Sequence, residues 1–415
     1  MKTTVILYID PGTGSMLFSL AIAIATALVF AVKALINKMK FILSAGKVDG
    51  VSTNKIPYVI YCDDKRYYNI FKPICDEFEK REVELVYYTQ SHDDPIFEKE
   101  YMFVKPEFIG EGNKGIARMN FLKAKNVLST TPGLDVLQWK RSREVERYIH
   151  IPHAVGGLGG YRTFGIDHYD SILTCSERQN EEAKELERVR NIQKKELVIV
   201  GCPYMDEADR IISEKYQSRV VDINNITVIL APSWGPSSLL AKYGDELVSK
   251  LVETGFHIII RPHPESYKSE KEIIAVLKEK YAEYENVEWN SDNNNVDVLS
   301  RADIMVSDFS GVVYDFALLF ERPVIMAYEQ FDTIIYDYDW MDYNVWHYKE
   351  LDDFGAWLTS ENISDIKNII VDLLTNDEKK EARIAAKKVL WRNQGKGAEK
   401  VVDYMMGESN NELKN

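Results

Sequence analysis

Cysteine is scarce in this sequence of 415 residues: only Cys62, Cys75, Cys175 and Cys202 are present, none in a CxxC pair or at zinc-like spacing from a histidine. This excludes a disulfide framework and the common structural zinc folds, and points to a reducing compartment. Basic charge is also short. Lys and Arg total 51 against 65 Asp and Glu, a formal net charge of −14. A general nucleic-acid binder is thereby excluded, because affinity for the phosphate backbone comes from clustered cations. Any anionic ligand has to be bound locally. No repeat of solenoid length is evident. No Asp-x-Asp follows a suitable strand to demand a metal, and Asp63-Asp64 reads as a pair of solvated turn carboxylates. No metal and no other cofactor is expected.

What is present is an ordinary globular composition, 45 % apolar and 28 % charged, in a chain too long for one core. One segment departs from it. From Met16 to Ile36 the sequence is almost wholly apolar, interrupted by Ser19, Thr26 and Lys33. At about 1.5 Å per residue such a run spans a bilayer core of roughly 30 Å as a helix. A cleaved signal peptide would carry its positive charge in front. Here Lys33, Lys38, Lys40 and Lys47 lie within or behind the run, so the positive-inside rule puts the large C-terminal part in the cytosol. The expected location is the cell membrane, crossed once, with the catalytic part cytoplasmic. Asp10-Pro-Gly-Thr-Gly-Ser15 reads as a turn at the membrane surface.

After a polar linker, short apolar segments alternate with helical patterns such as 67–81, which signals parallel α/β layers. Strands are expected over 58–62, 84–88, 126–129, 148–151, 171–174 and 197–200, with a charged helical stretch over 180–196. A second series follows at 227–230, 257–260, 286–289, 304–306 and 323–326. Two parallel-sheet domains in tandem imply a ligand cleft between them, because open α/β sheets bind at the carboxyl ends of their strands. The expected division is a membrane anchor over 1–43, a linker over 44–55, a first Rossmann-like domain over 56–222, a second over 223–407 and a polar tail over 408–415.

Three constellations fall at such strand ends. Arg261-Pro-His-Pro264 is a turn stiffened by two prolines around His263, where an imidazole can donate a hydrogen bond to a phosphate. Ser307-Asp-Phe-Ser-Gly311 leads into an apolar helix whose start, with Ser310 and Gly311, attracts an anion. There Asp308 is expected to orient the turn and Asp315 to reach the donor's ribose or base. His153 opens a glycine-rich loop, Ala-Val-Gly-Gly-Leu-Gly-Gly160, and is the candidate general base. His150, alternating with Ile149 and Ile151, reads as packed in or beside the sheet.

These residues, in this order, resemble the CDP-glycerol glycerophosphotransferase family of teichoic-acid and capsule synthesis. His153 stands where that family begins its Trp-His-Gly-Thr-Pro-Leu-Lys loop, and Arg261-Pro-His-Pro264 matches its Arg-x-His-Pro. Asp308-Phe-Ser-Gly311, Tyr314-Asp315 and Arg322-Pro323 match its Asp-Tyr-Ser-Ser, Phe-Asp and Arg-Pro. Ala231-Pro-Ser-Trp234 is similar to its Ala-Pro-Thr-Trp, and Gly201-Cys-Pro203 with Asp206 to its Gly-x-Pro-Arg-x-Asp. Two positions depart: Ala-Val-Gly-Gly follows His153, and Tyr204 replaces an arginine.

The resemblance implies a GT-B fold, two Rossmann-like domains facing a cleft. It implies transfer of glycerol phosphate from CDP-glycerol to a lipid-linked or polymer acceptor, with release of CMP. His153 and His263 would be catalytic, and Ser233, Arg261, Asp308, Ser310, Gly311 and Asp315 would hold the donor. A nucleotide-sugar glycosyltransferase or epimerase on the same scaffold, and a non-enzymatic membrane scaffold, are the competing readings.

Overall fold

The computed structural model describes residue 32 and residues 55–216, 220–292, 295–327, 336 and 349–407. All but Val32 of the membrane-spanning helix expected over 16–36, nearly all of the linker and the polar tail lie outside these residues. Among the described residues no helix is long and apolar enough to cross a membrane.

Among the described residues, two wholly parallel sheets carry the fold. The first has seven strands: β1 (Ile56–Cys62), β2 (Leu85–Thr89), β3 (Val104–Phe108), β4 (Ala124–Ser129), β5 (Val145–His150), β6 (Ser171–Thr174) and β7 (Glu196–Ile199), in the order β3-β2-β1-β4-β5-β6-β7. The second has six: β8 (Thr227–Ala231), β9 (His257–Ile260), β10 (Val287–Trp289), β11 (Ile304–Ser307), β12 (Val324–Ala327) and β13 (Gly355–Leu358), in the order β10-β9-β8-β11-β12-β13. The order reverses beside β1 and beside β8 in the two sheets, and ligand crevices form at such reversals. Central strands such as β8 and β11 are buried along their whole length. Continuous apolar runs are what a sheet covered on both faces requires.

All eleven expected strands are present. The sequence reading missed the edge strands β3 and β13. Strand β3 reads Val-Lys-Pro-Glu-Phe, and a proline inside a charged run argues against a strand except at a sheet edge, where β3 lies. Strand β13 opens on Gly355, where a Cβ would stand 2.0 Å from the carbonyl oxygen of Val324. Glycine there permits the close approach of the strands. The charged helix is also shifted from the expected 180–196: it spans Glu177–Arg190, ends on a left-handed Asn191, and leaves Glu196 to begin β7.

Helix α1 (Tyr68–Lys80) covers one face of the first sheet with Phe71, Ile74 and Phe78. Helices α2 (Asn113–Asn120) and α3 (Glu177–Arg190) cover the other with Met119, Ala183 and Leu186. On the second sheet, α5 (Leu239–Glu253), α6 (Lys271–Lys280) and α8 (Ile366–Thr375) form one layer. The opposite layer is α4 (Pro203–Lys215), α7 (Val312–Leu319) and α9 (Lys380–Leu390), and its core takes in Val155, Cys175 and Cys202 from the first half.

The chain then returns. Helix α10 (Gly397–Met406) packs Val401, Val402 and Met405 into the core beneath α1, and Arg81 pairs with Asp403 at 2.7 Å. One carboxylate organises the crossing. Asp206 on α4 accepts Trp391 Nε1 at 2.9 Å and the amides of Gly395 and Gly397 at 2.7 and 2.8 Å. Gly201 has a φ of +96°, and a Cβ there would meet the Arg392 carbonyl oxygen at 2.4 Å. The Gly-x-Pro segment with its aspartate therefore joins the outgoing and returning chain.

Candidate active site

The carboxyl edges of the two sheets face each other. Gly156, in the loop after β5, would place a Cβ 3.5 Å from the Tyr314 ring on α7, and the Arg178 guanidinium of α3 lies 5.4 Å over that ring.

On the second sheet, one buried carboxylate gathers the turn. Asp308 accepts the amides of Ser233 at 2.9 Å, Leu239 at 2.8 Å and Ser310 at 3.2 Å, which fixes the loop after β8 against the loop after β11. Burial pushes its pKa up to about 7, with the amides pulling the other way. These bonds bring Ser233, Asp308, Ser310 and Gly311 together. Among the described residues, a Cβ at Gly311 at the start of α7 would meet nothing within 4 Å.

His263 joins the group from β9, its ring 6.5 Å from that of Trp234. The amide of Glu265 donates to its Nδ1 at 3.2 Å. In the neutral ring the hydrogen therefore sits on Nε2, as the donor. Burial lowers its pKa, Glu265 opposes this, and Arg66 of the first half adds to it.

Arg261 and Asp315 lie deeper. Arg261 donates to Asn295 Oδ1 at 2.7 Å and to the Asp292 carbonyl at 2.8 Å, bracing the turn after β10. Asp315 is buried and receives Tyr204 Oη at 3.1 Å; burial pushes its pKa up to about 7. Tyr204 thus occupies the place of the expected arginine and supplies a neutral donor.

On the first sheet, His153 follows β5 and stays open to solvent, yet the protein crowded around it lowers its pKa by desolvation. Its Nδ1 lies 3.3 Å from Tyr161 Oη, and the Tyr67 ring stands 5.9 Å away. Helix α3 holds the loop through the fully buried Gln179, which donates to the Ala154 and Gly156 carbonyls at 3.0 and 2.6 Å. His150 is fully buried between Tyr161 and Tyr169, at 5.0 and 4.8 Å between rings, and burial takes its pKa down to about 3.

The reading of Asp63-Asp64 as solvated turn carboxylates needs correction. Asp63 is half-buried and accepts Thr131 Oγ1 at 2.7 Å, because it directly follows the central strand β1; only Asp64, capping the amide of Arg66 at 2.9 Å, fits a turn. Sequence reasoning also missed Tyr161, Arg66 and Trp234. The signal for Arg66 was its place directly after β1, at the sheet edge that binds ligands. Trp234 stood within the Ala-Pro-Ser-Trp segment, and is 38 % exposed beside His263.

Comparisons with known proteins agree with this geometry. No curated protein matches the chain. Among solved structures, the wall teichoic acid polymerase TagF superposes with a TM-score of 0.56 at 14 % identity, over 92 % of this chain and 96 % of that one. An S. aureus MnaA structure with UDP gives 0.56 at 12 % identity, over 86 % and 97 %. A UDP-N-acetylglucosamine 2-epimerase from Listeria monocytogenes, described as putative, gives 0.53 at 13 %, over 86 % and 98 %. At these identities the likeness establishes the fold, two Rossmann-like domains of GT-B type. The sequence itself goes further, because the family profile for CDP-glycerol:poly(glycerophosphate) glycerophosphotransferase matches residues 162–407, more than half of the chain. The chain belongs to the CDP-glycerol:poly(glycerophosphate) glycerophosphotransferase family and is a transferase of that type.

Proposed function

We propose that the protein moves glycerol phosphate, or a similar polyol phosphate, from CDP-glycerol to an acceptor hydroxyl of a cell-wall or capsule polymer, releasing CMP. The observation that carries this is the opposition of two different edges. One carries Ser233 and Ser310, drawn together through their amides by Asp308, with His263 beside Trp234; the other presents His153, exposed, with its Nδ1 3.3 Å from Tyr161 Oη.

In this reading the second domain, 223–407, holds the donor and the first, 56–222, receives the acceptor. The acceptor oxygen attacks the distal phosphorus, its proton passes to His153, and the bond to CMP breaks with the electron pair leaving on the CMP oxygen. His263 donates from Nε2 to a phosphate oxygen, and Ser233, Ser310 and the Gly311 amide share the charge. Arg261 ties the turn that carries His263 to the turn after β10, and Asp308 and Asp315 act from beneath. Catalysis of this kind is mainly positioning and electrostatic stabilisation. The apolar run over 16–36 anchors the enzyme at the cytoplasmic face of the membrane, beside a lipid-linked or polymer acceptor.

Thermal-shift titration of the full chain with CDP-glycerol, CDP-ribitol, CMP and UDP-sugars, followed by assay of CMP release, tests this. Stabilisation by the CDP-alcohols and CMP is expected. A response to UDP-sugars alone would overturn the reading. A reporter fused after Asn415 is expected in the cytosol; external labelling of that end would refute the anchoring.

A further inference from the structure

Tyr161 has no place in the scheme above, yet it is the side chain bonded to His153. It is buried directly after the 3-10 turn Leu158–Gly160, in the loop that Gln179 fastens to α3. Its ring stands nearly perpendicular to that of His153, at 77° and 5.7 Å between centroids, and its Oη lies 3.3 Å from Nδ1. Tyr67 packs on His153 as well, at 54° and 5.9 Å between ring centroids. The imidazole is therefore oriented by a neutral phenol. Behind the phenol lies the buried hydroxyl of Thr130, within hydrogen-bonding reach of it.

A histidine that takes a proton on one ring nitrogen must carry its hydrogen on the other, and the partner of that second nitrogen sets which is which. We propose that Tyr161 is the positioning residue for His153. Its oxygen accepts the Nδ1 hydrogen, its own hydrogen points to Thr130 Oγ1, and Nε2 is left bare toward the cleft to take the proton of the acceptor hydroxyl. During transfer that proton moves to Nε2 while the oxygen bonds to phosphorus and CMP departs. Tyr161 keeps its hydrogen throughout. This inference rests on the general-base reading of His153.

The test is ring nitrogen-15 NMR of the full-length protein with labelled histidine, the His153 signal being the one absent from His153→Ala. A hydrogen on Nδ1 is expected in the parent. In Tyr161→Phe the signal should move toward the form protonated on Nε2, and turnover should fall roughly 10–100-fold with CDP-glycerol affinity unchanged. Thr130→Val, which removes the acceptor behind the phenol, should shift the signal the same way by less, and covers the case in which Tyr161→Phe fails to fold. A parent His153 with its hydrogen on Nε2, or parental turnover in Tyr161→Phe, would overturn the proposal. If His153→Ala is inactive in that second case, only the positioning role falls; if His153→Ala is also fully active, the general-base reading falls with it.

Discussion

Tyr204 Oη donates to Asp315 Oδ2 at 3.1 Å, joining the helix that leaves the first sheet to the helix that follows β11. The carboxyl is buried, and its pKa rises from 3.8 to about 7 by desolvation. In the unfolded chain it ionises near 4, whereas in the folded protein it keeps its proton to about 7. Its contribution to stability is thus complete below about 4 and lost as pH rises to 7. Buried His150 slopes the other way over this range, so the test is the difference: from pH 5 to pH 7 the unfolding temperature of Asp315→Asn should rise relative to that of the parent. Asp308 carries the same shift and is present in both proteins. Identical pH dependence in mutant and parent would remove Asp315 from this account.

His263→Ala is expected to weaken CDP-glycerol binding and turnover together, because a donor on the phosphates acts in the ground state and the transition state alike. Isothermal titration of mutant and parent decides it; equal affinity would contradict the role. Ser310→Ala should act in the same direction by less, since the amides at the start of α7 remain.

For His153 the two parameters should separate. His153→Ala is expected to cost about 10²–10⁴-fold in turnover, as loss of a general base does, with donor affinity nearly intact. A loss of donor binding as severe as that of His263→Ala would make His153 a phosphate ligand instead.

His150 gives a prediction about acid. Its ring is fully buried, and desolvation holds its pKa down to about 3. The unfolded chain takes up that proton near 6.5, so each pH unit below this costs the parent about 1.4 kcal/mol through this residue until the folded form protonates as well. His150→Phe should keep the packing against Tyr161 and Tyr169 and unfold less readily at pH 5. Equal acid sensitivity by calorimetry would place the proton elsewhere.

The fold was legible because buried parallel strands leave an unmistakable trace: Ile258 to Ile260 and Val228 to Leu230 are apolar without interruption and flanked by turn residues. Edge strands leave no such trace, and β3, with Lys105, Pro106 and Glu107, shows why. Within the site, residues that neighbour one another in sequence were readable, such as Ser310 beside Asp308. Pairings over distance were not. Nothing in the order of residues brings Tyr204 to Asp315, 111 positions away, and nothing assigns Tyr161 to His153 until the loop between them is folded on Gln179. The departure at Tyr204 was visible in sequence, but its meaning, a neutral hydroxyl on a buried carboxyl, needed the geometry.

The return of α10 to the first sheet sets an order of events in synthesis. Val401, Val402 and Met405 share one core with Ile60, Phe71 and Leu128, so that core lacks a wall until α10 has been made. A nascent chain at roughly 5–20 residues per second carries the unfinished apolar face through the synthesis of the whole second sheet. Loss of α10 would therefore injure the first sheet rather than the second, and a premature stop ahead of it should yield a product that aggregates through its first domain.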